Sequence, residues 1–318
     1  MIWLSILKKV NQQVTLRHSF NGTSETTRND INYRGAALKG FARRFFVSEH
    51  CPTHLKPLNK EQLGYYLAGL LDGNGYFDHK GYIVIAYDSR LAADRSAAHW
   101  LKSKIGYGSV SERGPAPEKS VKLVISHTEG IKIVIDMING KIRMNHRYDQ
   151  IIKAIRNENN KILYNYYINK EFKIDKSKDF DNHWLCGFID SDGGFQIKLI
   201  NRKNKVECRL VLSIAQKRGC APILENIKEY LSGGYIGKRK HQNKGSARGD
   251  TIYTYYYESY TNKTNKNVIN YLDKYHLLSY KYLNYTFFRK AYLIKQKGSY
   301  KDKLDELKRM KESGLRPL

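Results

Sequence analysis

Acidic residues are scarce in this 318-residue chain: 30 Asp and Glu stand against 56 Lys and Arg, a formal charge of +26. In a free compact protein such an excess repels itself, but it suits a polyanionic partner that releases counterions on binding. Cysteine is scarce as well. The four cysteines (Cys51, Cys186, Cys208, Cys220) form no Cys-x-x-Cys pair and have no histidine at zinc-finger spacing. They read as reduced thiols of an intracellular compartment rather than as a disulfide framework or a structural zinc site. No apolar run reaches the roughly 18 to 20 residues that a membrane span needs. Met1 to Leu7 is apolar, yet too short for a secretory core and without a small-residue cleavage site. A membrane surface would need a polybasic amphipathic helix, and none stands out. Nucleic acid is therefore the polyanion that the charge favours.

What is present is repetition. Leu67-Ala-Gly-Leu-Leu-Asp-Gly-Asn-Gly75 recurs as Leu185-Cys-Gly-Phe-Ile-Asp-Ser-Asp-Gly193, an offset of 118 (190 − 72). Ile135-Asp-Met-Ile followed by Arg147 recurs as Ile269-Asn-Tyr-Leu followed by Lys281, an offset of 134 (269 − 135). Between them, Lys104-Ile-Gly-Tyr-Gly-Ser-Val110 has a looser echo in Leu231-Ser-Gly-Gly-Tyr-Ile-Gly237. A duplicated unit is the simplest account. Leu63 to Leu71 reads as a helix ended by Gly73 and Gly75. Glycine is a poor interior helix residue, so Gly69 and Gly187, which fall at the same place in both copies, predict a close helix–helix approach. Strand signals follow each motif. Phe195, Ile197 and Leu199 alternate with Gln196 and Lys198, and the returning strand places Cys208, Leu210 and Leu212 opposite in facing to Glu207, Arg209 and Ser213. A Tyr-rich pair, 234–240 and 251–259, follows. The first half has matching segments at 82–87, 107–113 and 121–126. The expected organisation is a basic extension over 1–57, a first domain over 58–156, a linker over 157–181, a second domain over 182–293 and a basic terminal helix over 294–318. The extension holds eight Lys and Arg within residues 1–50, as a targeting segment or a tail held by a partner would.

The two nonapeptides resemble the LAGLIDADG signature. Residues 58–292 are similar to single-chain homing endonucleases of that family, above all those encoded in mitochondrial introns. The resemblance implies an α+β fold: duplicated αββαββα units about a pseudo-two-fold axis, with two saddle-shaped antiparallel sheets. It further implies a monomer with internal pseudo-symmetry, located in the matrix of the mitochondrion or in another organelle. Its sheets lie in the DNA major groove, and an acid at the foot of each central helix binds Mg²⁺ beside a scissile phosphate. A carboxylate at a helix C-terminus opposes the macrodipole, and two meeting at one axis repel, so a divalent cation relieves both.

Carried over by position, Asp192 is the second-half acid and metal ligand, Gln216 the core polar residue and Lys281 the nearby base. Asn74 takes the acid's place in the first half, Tyr87 that of Gln216, and Arg147 that of Lys281. An amide offers no charge to a metal, and a guanidinium is a poor proton-transfer group. One such change fits a trapped complex; three fit a decayed centre. Asp72 and Asp190 read as hydrogen-bonding residues at the helix ends. Nucleic-acid contacts are expected from Gln196, Lys198, Arg209, Lys238, Arg239, Lys240, Lys244, Arg113 and Lys122, and a few of the tyrosines can stack on bases. Three functions follow. The first is a nucleic-acid binder impaired in double-strand cleavage that serves organellar RNA as a maturase or as a structural component of a ribonucleoprotein such as the mitoribosome. The second is an active Mg²⁺-dependent endonuclease or nickase on double-stranded DNA. The third is a DNA-binding regulator.

Overall fold

A computed structural model of the chain describes residues 47–88, 92–113, 120–157, 161–203, 205–217, 221–242, 251–298 and 301–313. Most of the expected N-terminal extension, together with Lys244 and Cys220, lies outside the described residues.

The first half runs α1 (Lys60–Gly73), β1 (Tyr76–Phe77), β2 (Ile83–Asp88), α2 (Ala92–Ile105), β3 (Ser109–Arg113), β4 (Ser120–Ile125), α3 (Thr128–Ile138) and α4 (Asn145–Ile155). The second half repeats it as α6 (Trp184–Asp192), β5 (Gly193–Arg202), β6 (Lys205–Lys217), α7 (Ala221–Tyr230), β7 (Tyr235–Gln242), β8 (Thr251–Glu258), α8 (Asn262–Leu272) and α9 (Lys281–Gln296). The short helix α5 (Lys161–Tyr167) falls between the halves, and α10 (Leu304–Ser313) follows them, burying Leu307 and Met310. The two antiparallel sheets share one strand order, β1-β2-β4-β3 and β5-β6-β8-β7. Each half carries one helix more than the αββαββα unit, α4 and α9, and these helices hold Arg147 and Lys281.

The two motif helices form the centre. Asn59 caps α1 by accepting from Gln62 N–H at 2.9 Å. Leu67, Ala68 and Leu71 of α1 and Leu185, Cys186 and Phe188 of α6 are all fully buried. Burial of each large apolar side chain stabilises the fold by roughly 1.5–3 kcal/mol. Gly69 and Gly187 explain how the backbones come so close. A Cβ on Gly69 would stand 1.9 Å from the Trp184 carbonyl oxygen, and one on Gly187 would stand 2.1 Å from that of Tyr66. Small residues at the crossing are therefore required.

The sheets cover the helices with one face and leave the other open. On β4 the burial alternates strictly, with Val121, Leu123 and Ile125 inward. On β6, Cys208, Leu210, Leu212 and Ile214 are buried in the same way. The hairpins differ in length between the halves. β1 has two residues and β2 six, whereas β5 has ten and β6 thirteen.

Residues 47–57, read from sequence as part of the extension, are strapped onto α9. Val47 exchanges backbone hydrogen bonds with the Gln296 amide at 2.6 and 3.1 Å. Arg289 donates to the carbonyls of Ser48 and His50, each at 2.9 Å, while its guanidinium also binds Asp273. Leu55 N–H donates to His276 Nδ1 at 3.1 Å. Among the described residues, no helix is long and apolar enough to cross a membrane.

Candidate active site and nucleic-acid interface

The C-termini of α1 and α6 meet at the centre, where each carries one aspartate with no exposed surface to spare. Asp72 accepts from Arg143 N–H at 2.8 Å, Met144 N–H at 3.3 Å and Trp184 Nε1–H at 2.9 Å. Asp190 accepts from Leu278 N–H at 2.7 Å, from the Ser279 hydroxyl and from the Tyr66 hydroxyl at 2.9 Å. The arrangement is reciprocal. Tyr66 and Trp184 occupy equivalent places in the two motifs, and each donates to the other helix's aspartate. Burial pushes the Asp72 carboxyl up to about 7 and the Asp190 carboxyl upward, against the opposing pull of these donors. Arg147 also pulls Asp72 down, as Lys281 does Asp190. The hydrogen-bonding role expected of both aspartates is what the geometry displays. Sequence reading missed Tyr66 and Trp184. The available signal was their equal place in the two motifs, on a helix face where a large aromatic with a polar tip needs a partner.

Two residues further on, the halves part. Asp192 ends α6 and is half-buried, and its carboxylate accepts from the Gln216 side-chain amide. Lys281 is 4% exposed, and its ammonium donates to the carbonyls of Ser191 at 2.7 Å and Ile189 at 3.2 Å. A cation at these last carbonyls offsets the negative end of the helix dipole beside Asp192. Asp192, Gln216 and Lys281 therefore surround one point at the foot of α6.

In the first half Asn74 is exposed at the C-cap of α1, and its amide donates to Ser191 O at 3.1 Å. Arg147 repeats the geometry of Lys281, with its guanidinium donating to Gly73 O at 3.4 Å and also to Gln150. Sheet register makes Tyr87 the counterpart of Gln216, because Tyr87 pairs with Val121 and Gln216 with Tyr255 at equivalent places on β4 and β8. Tyr87 does not reach its own helix end. It is 7% exposed, and its hydroxyl has no hydrogen-bond partner among the described residues. Burial, and then the nearby Asp190 and Asp94 carboxylates, shift the pKa of its hydroxyl well up.

The two feet touch. A Cβ on Gly73 would stand 2.8 Å from Asp192 Oδ2. Asn74, Asp192, Gln216, Arg147 and His146 line one open cleft of about 760 Å³. Its oxygen donors include the Asp192 carboxylate at the foot of α6, the exposed Asp149 carboxylate of α4 and the amide oxygens of Asn74 and Gln216. Among the described residues, no cluster of three His, Cys, Asp or Glu forms a self-sufficient metal cage. At the two helix feet Asp192 is the one carboxylate, and such a set fits a hard divalent cation that takes its remaining ligands from water and phosphate.

The open faces carry the other expected contacts. Gln196 and Lys198 pair with Val211 and Arg209 on the open face of the second sheet. Glu207 bridges Arg209 at 2.8 Å and Arg202 at 2.9 Å, and Lys198 lies 3.9 Å from Glu258. Arg239 joins this face, stacked over Tyr256 at 4.5 Å. Lys238 lies over the Tyr253 ring at 3.8 Å, and Tyr253 has the same facing as the buried Tyr257. Strand alternation therefore puts Lys238 and Lys240 on the reverse face from Arg239, dividing the basic run. In the first sheet Lys122 is half-buried on the open face, opposite Ala86 and Ser111. Arg113 pairs with Ser120 at the end of β3.

Comparison with known proteins agrees with this architecture. A model of the LAGLIDADG endonuclease family matches residues 185–292. The cox1 intron-2 37.2 kDa protein of Schizosaccharomyces pombe is 39% identical over 99% of this chain and 86% of its own length. The intron-encoded RNA maturase bI4 of Saccharomyces cerevisiae is 29% identical over 90% of this chain, which spans 46% of that longer protein. Among solved structures, the LAGLIDADG meganuclease I-CpaMI bound to uncleaved DNA superposes with a TM-score of 0.61 at 14% identity, covering 80% of this chain and 99% of its own. The duplicated motif helices, the twin four-stranded sheets and the relative alike over nearly the whole chain lead to one conclusion: this chain belongs to the LAGLIDADG endonuclease family.

Proposed function

We propose that the chain is a nucleic-acid-binding member of this family, impaired in double-strand cleavage, whose second-half centre cuts at most one strand. The carrying observation is the unequal pair of helix feet. Asp192 has Gln216 and Lys281 around it, whereas Asn74 has Arg147 and a Tyr87 that is buried elsewhere. Asp192, with the amide oxygens of Gln216 and Asn74, would hold Mg²⁺. When bound, that ion supplies a Lewis acid and an acidified water for phosphodiester hydrolysis. The Gln216 amide fixes the Asp192 carboxylate toward the cleft, and the buried Lys281 holds positive charge on the last carbonyls of α6 behind it. Asn74 supplies no charge, so the first-half position holds a cation weakly. The test is a supercoiled plasmid carrying a bound target, incubated with Mg²⁺. Open circles or uncut plasmid are expected, and linear plasmid would overturn the impairment.

A second reading, action on organellar RNA as a maturase or as a structural ribonucleoprotein component, is favoured by the likeness to the RNA maturase bI4 across 90% of this chain. The intron-encoded relatives also favour a mitochondrial location. Sequencing the nucleic acid that copurifies with the protein distinguishes the readings: intron or ribosomal RNA supports the second, and duplex DNA alone removes it.

A further inference from the structure

The open faces of the two sheets are not equivalent. β5 extends ten residues against β6, and β6 runs for thirteen, whereas β1 has two residues and β2 six. At about 3.3 Å per residue, the longest described ladder of the second sheet, ten pairs between β5 and β6, spans roughly 33 Å, and that of the first, six pairs between β2 and β4, roughly 20 Å. With 3.4 Å per base pair along one strand, those lengths follow about ten and about six base pairs. Charge follows the same division. Among the described side chains, the second open face carries Lys198, Arg202, Arg209 and Arg239, while the first carries Lys122. The two acids of the second face do not cancel this. Glu207 aligns Arg202 and Arg209 side by side, and Glu258 stands near Lys198. Gln196, exposed on the same face, adds an amide able to read a base edge. A two-stranded ribbon of this kind fits the B-form major groove, whereas the deep, narrow major groove of A-form RNA does not admit side chains for reading.

We propose that the two halves read unequal lengths of one DNA duplex. The second half covers about ten base pairs through β5 and β6 and makes most of the phosphate contacts, with Arg209, Arg202 and Arg239 as its main anchors. The first half covers about six base pairs and contributes little affinity. This assignment rests on the nucleic-acid-binding reading above and sharpens it. It makes the target asymmetric, with a long half-site on the side of Asp192's own sheet.

The experiment uses the full chain and a pool of random double-stranded DNA of about 40 base pairs, selected at low salt in EDTA. The selected duplexes are then probed by hydroxyl-radical footprinting. Protection should be longer on one side. Arg209→Ala and Arg239→Ala should thin protection at the long end only, each lowering the log–log salt slope by about 0.9. Lys122→Ala should act only at the short end, with a smaller loss of affinity. Arg239 is exposed and Arg209 and Lys122 are half-buried, and unchanged circular dichroism checks that the variants fold. Protection of equal length on both sides, or a Lys122→Ala loss matching that of Arg209→Ala, overturns the asymmetry while leaving the binding reading intact. Failure to retain any duplex overturns the DNA-binding reading and the asymmetry with it.

Discussion

Residues 72 and 190 are held alike, whereas residues 74 and 192 are not. Each buried aspartate takes backbone donors from the loop after its own half's penultimate helix and one aromatic donor from the opposite motif helix. Two residues beyond, one helix ends in a carboxylate tied to a glutamine amide and the other in an exposed asparagine. Scaffold and chemistry are therefore separable within nine residues of sequence. The shared part fixes where two helix ends meet. The part that differs decides what charge is presented there, and an altered charge leaves the packing intact.

The largest effect expected to test this contrast is on cleavage. On the proposed reading, Asp192→Asn removes any nicking of the selected duplex in Mg²⁺ by about 10³-fold or more, roughly 4 kcal/mol of barrier. Asn74→Asp alone should leave linear product below detection, because Tyr87 stays buried and Arg147 is a poor proton-transfer group. Asn74→Asp combined with Tyr87→Gln and Arg147→Lys should yield some linear plasmid. Strong linear product from the single change would show that the first half lacks only its acid.

Next in size is a test of what the halves share. Gly69→Ala and Gly187→Ala each thrust a Cβ into a carbonyl oxygen of the facing helix, at 1.9 and 2.1 Å. Both should lower stability by about 3 kcal/mol or more, the upper range for overpacking, and by similar amounts. Urea unfolding measures this. A large loss from one and none from the other would break the structural equivalence of the halves.

That equivalence was legible from sequence where a residue type recurs at one offset, as the two glycines do. Tyr87 could be matched to Gln216 because Ile85-Ala86-Tyr87 and Ile214-Ala215-Gln216 read alike, each on the strand that returns after its motif. Other features left no local trace. Which face of β7 Lys238 and Lys240 take depends on pairing with β8, since the run Lys238-Arg239-Lys240 reads alike in either parity. The two-residue β1 was missed because Tyr76-Phe77 is too short to alternate. Residues 47–57 look like a polar tail because the partners of their backbone, Arg289, Gln296 and His276, lie more than 200 positions away. The Tyr66 and Trp184 donors cross from one half to the other, and no periodicity within either half encodes such a bond.

The smallest expected effect distinguishes the two helices at their N-terminal sides. His183, at the N-cap of α6, is pushed down to about 4 by burial and then by the neighbouring His276. Its counterpart in α1 is Tyr65, whose hydroxyl is shifted up by burial and gains no charge in acid. The folded protein holds His183 neutral, while the unfolded chain binds a proton near pH 6.5. Stability is therefore lost as pH falls from about 6.5 towards 4, with about 2 kcal/mol gone from this group by pH 5. His183→Asn keeps a residue suited to a helix N-cap and should flatten the melting temperature across that window, whereas Tyr65→Phe should leave the profile unchanged. His276 is lowered by burial as well, so a residual slope in His183→Asn is expected. An unaltered slope would move the acid sensitivity from α6 to His276 or to His146 of the first half, both of which burial also lowers.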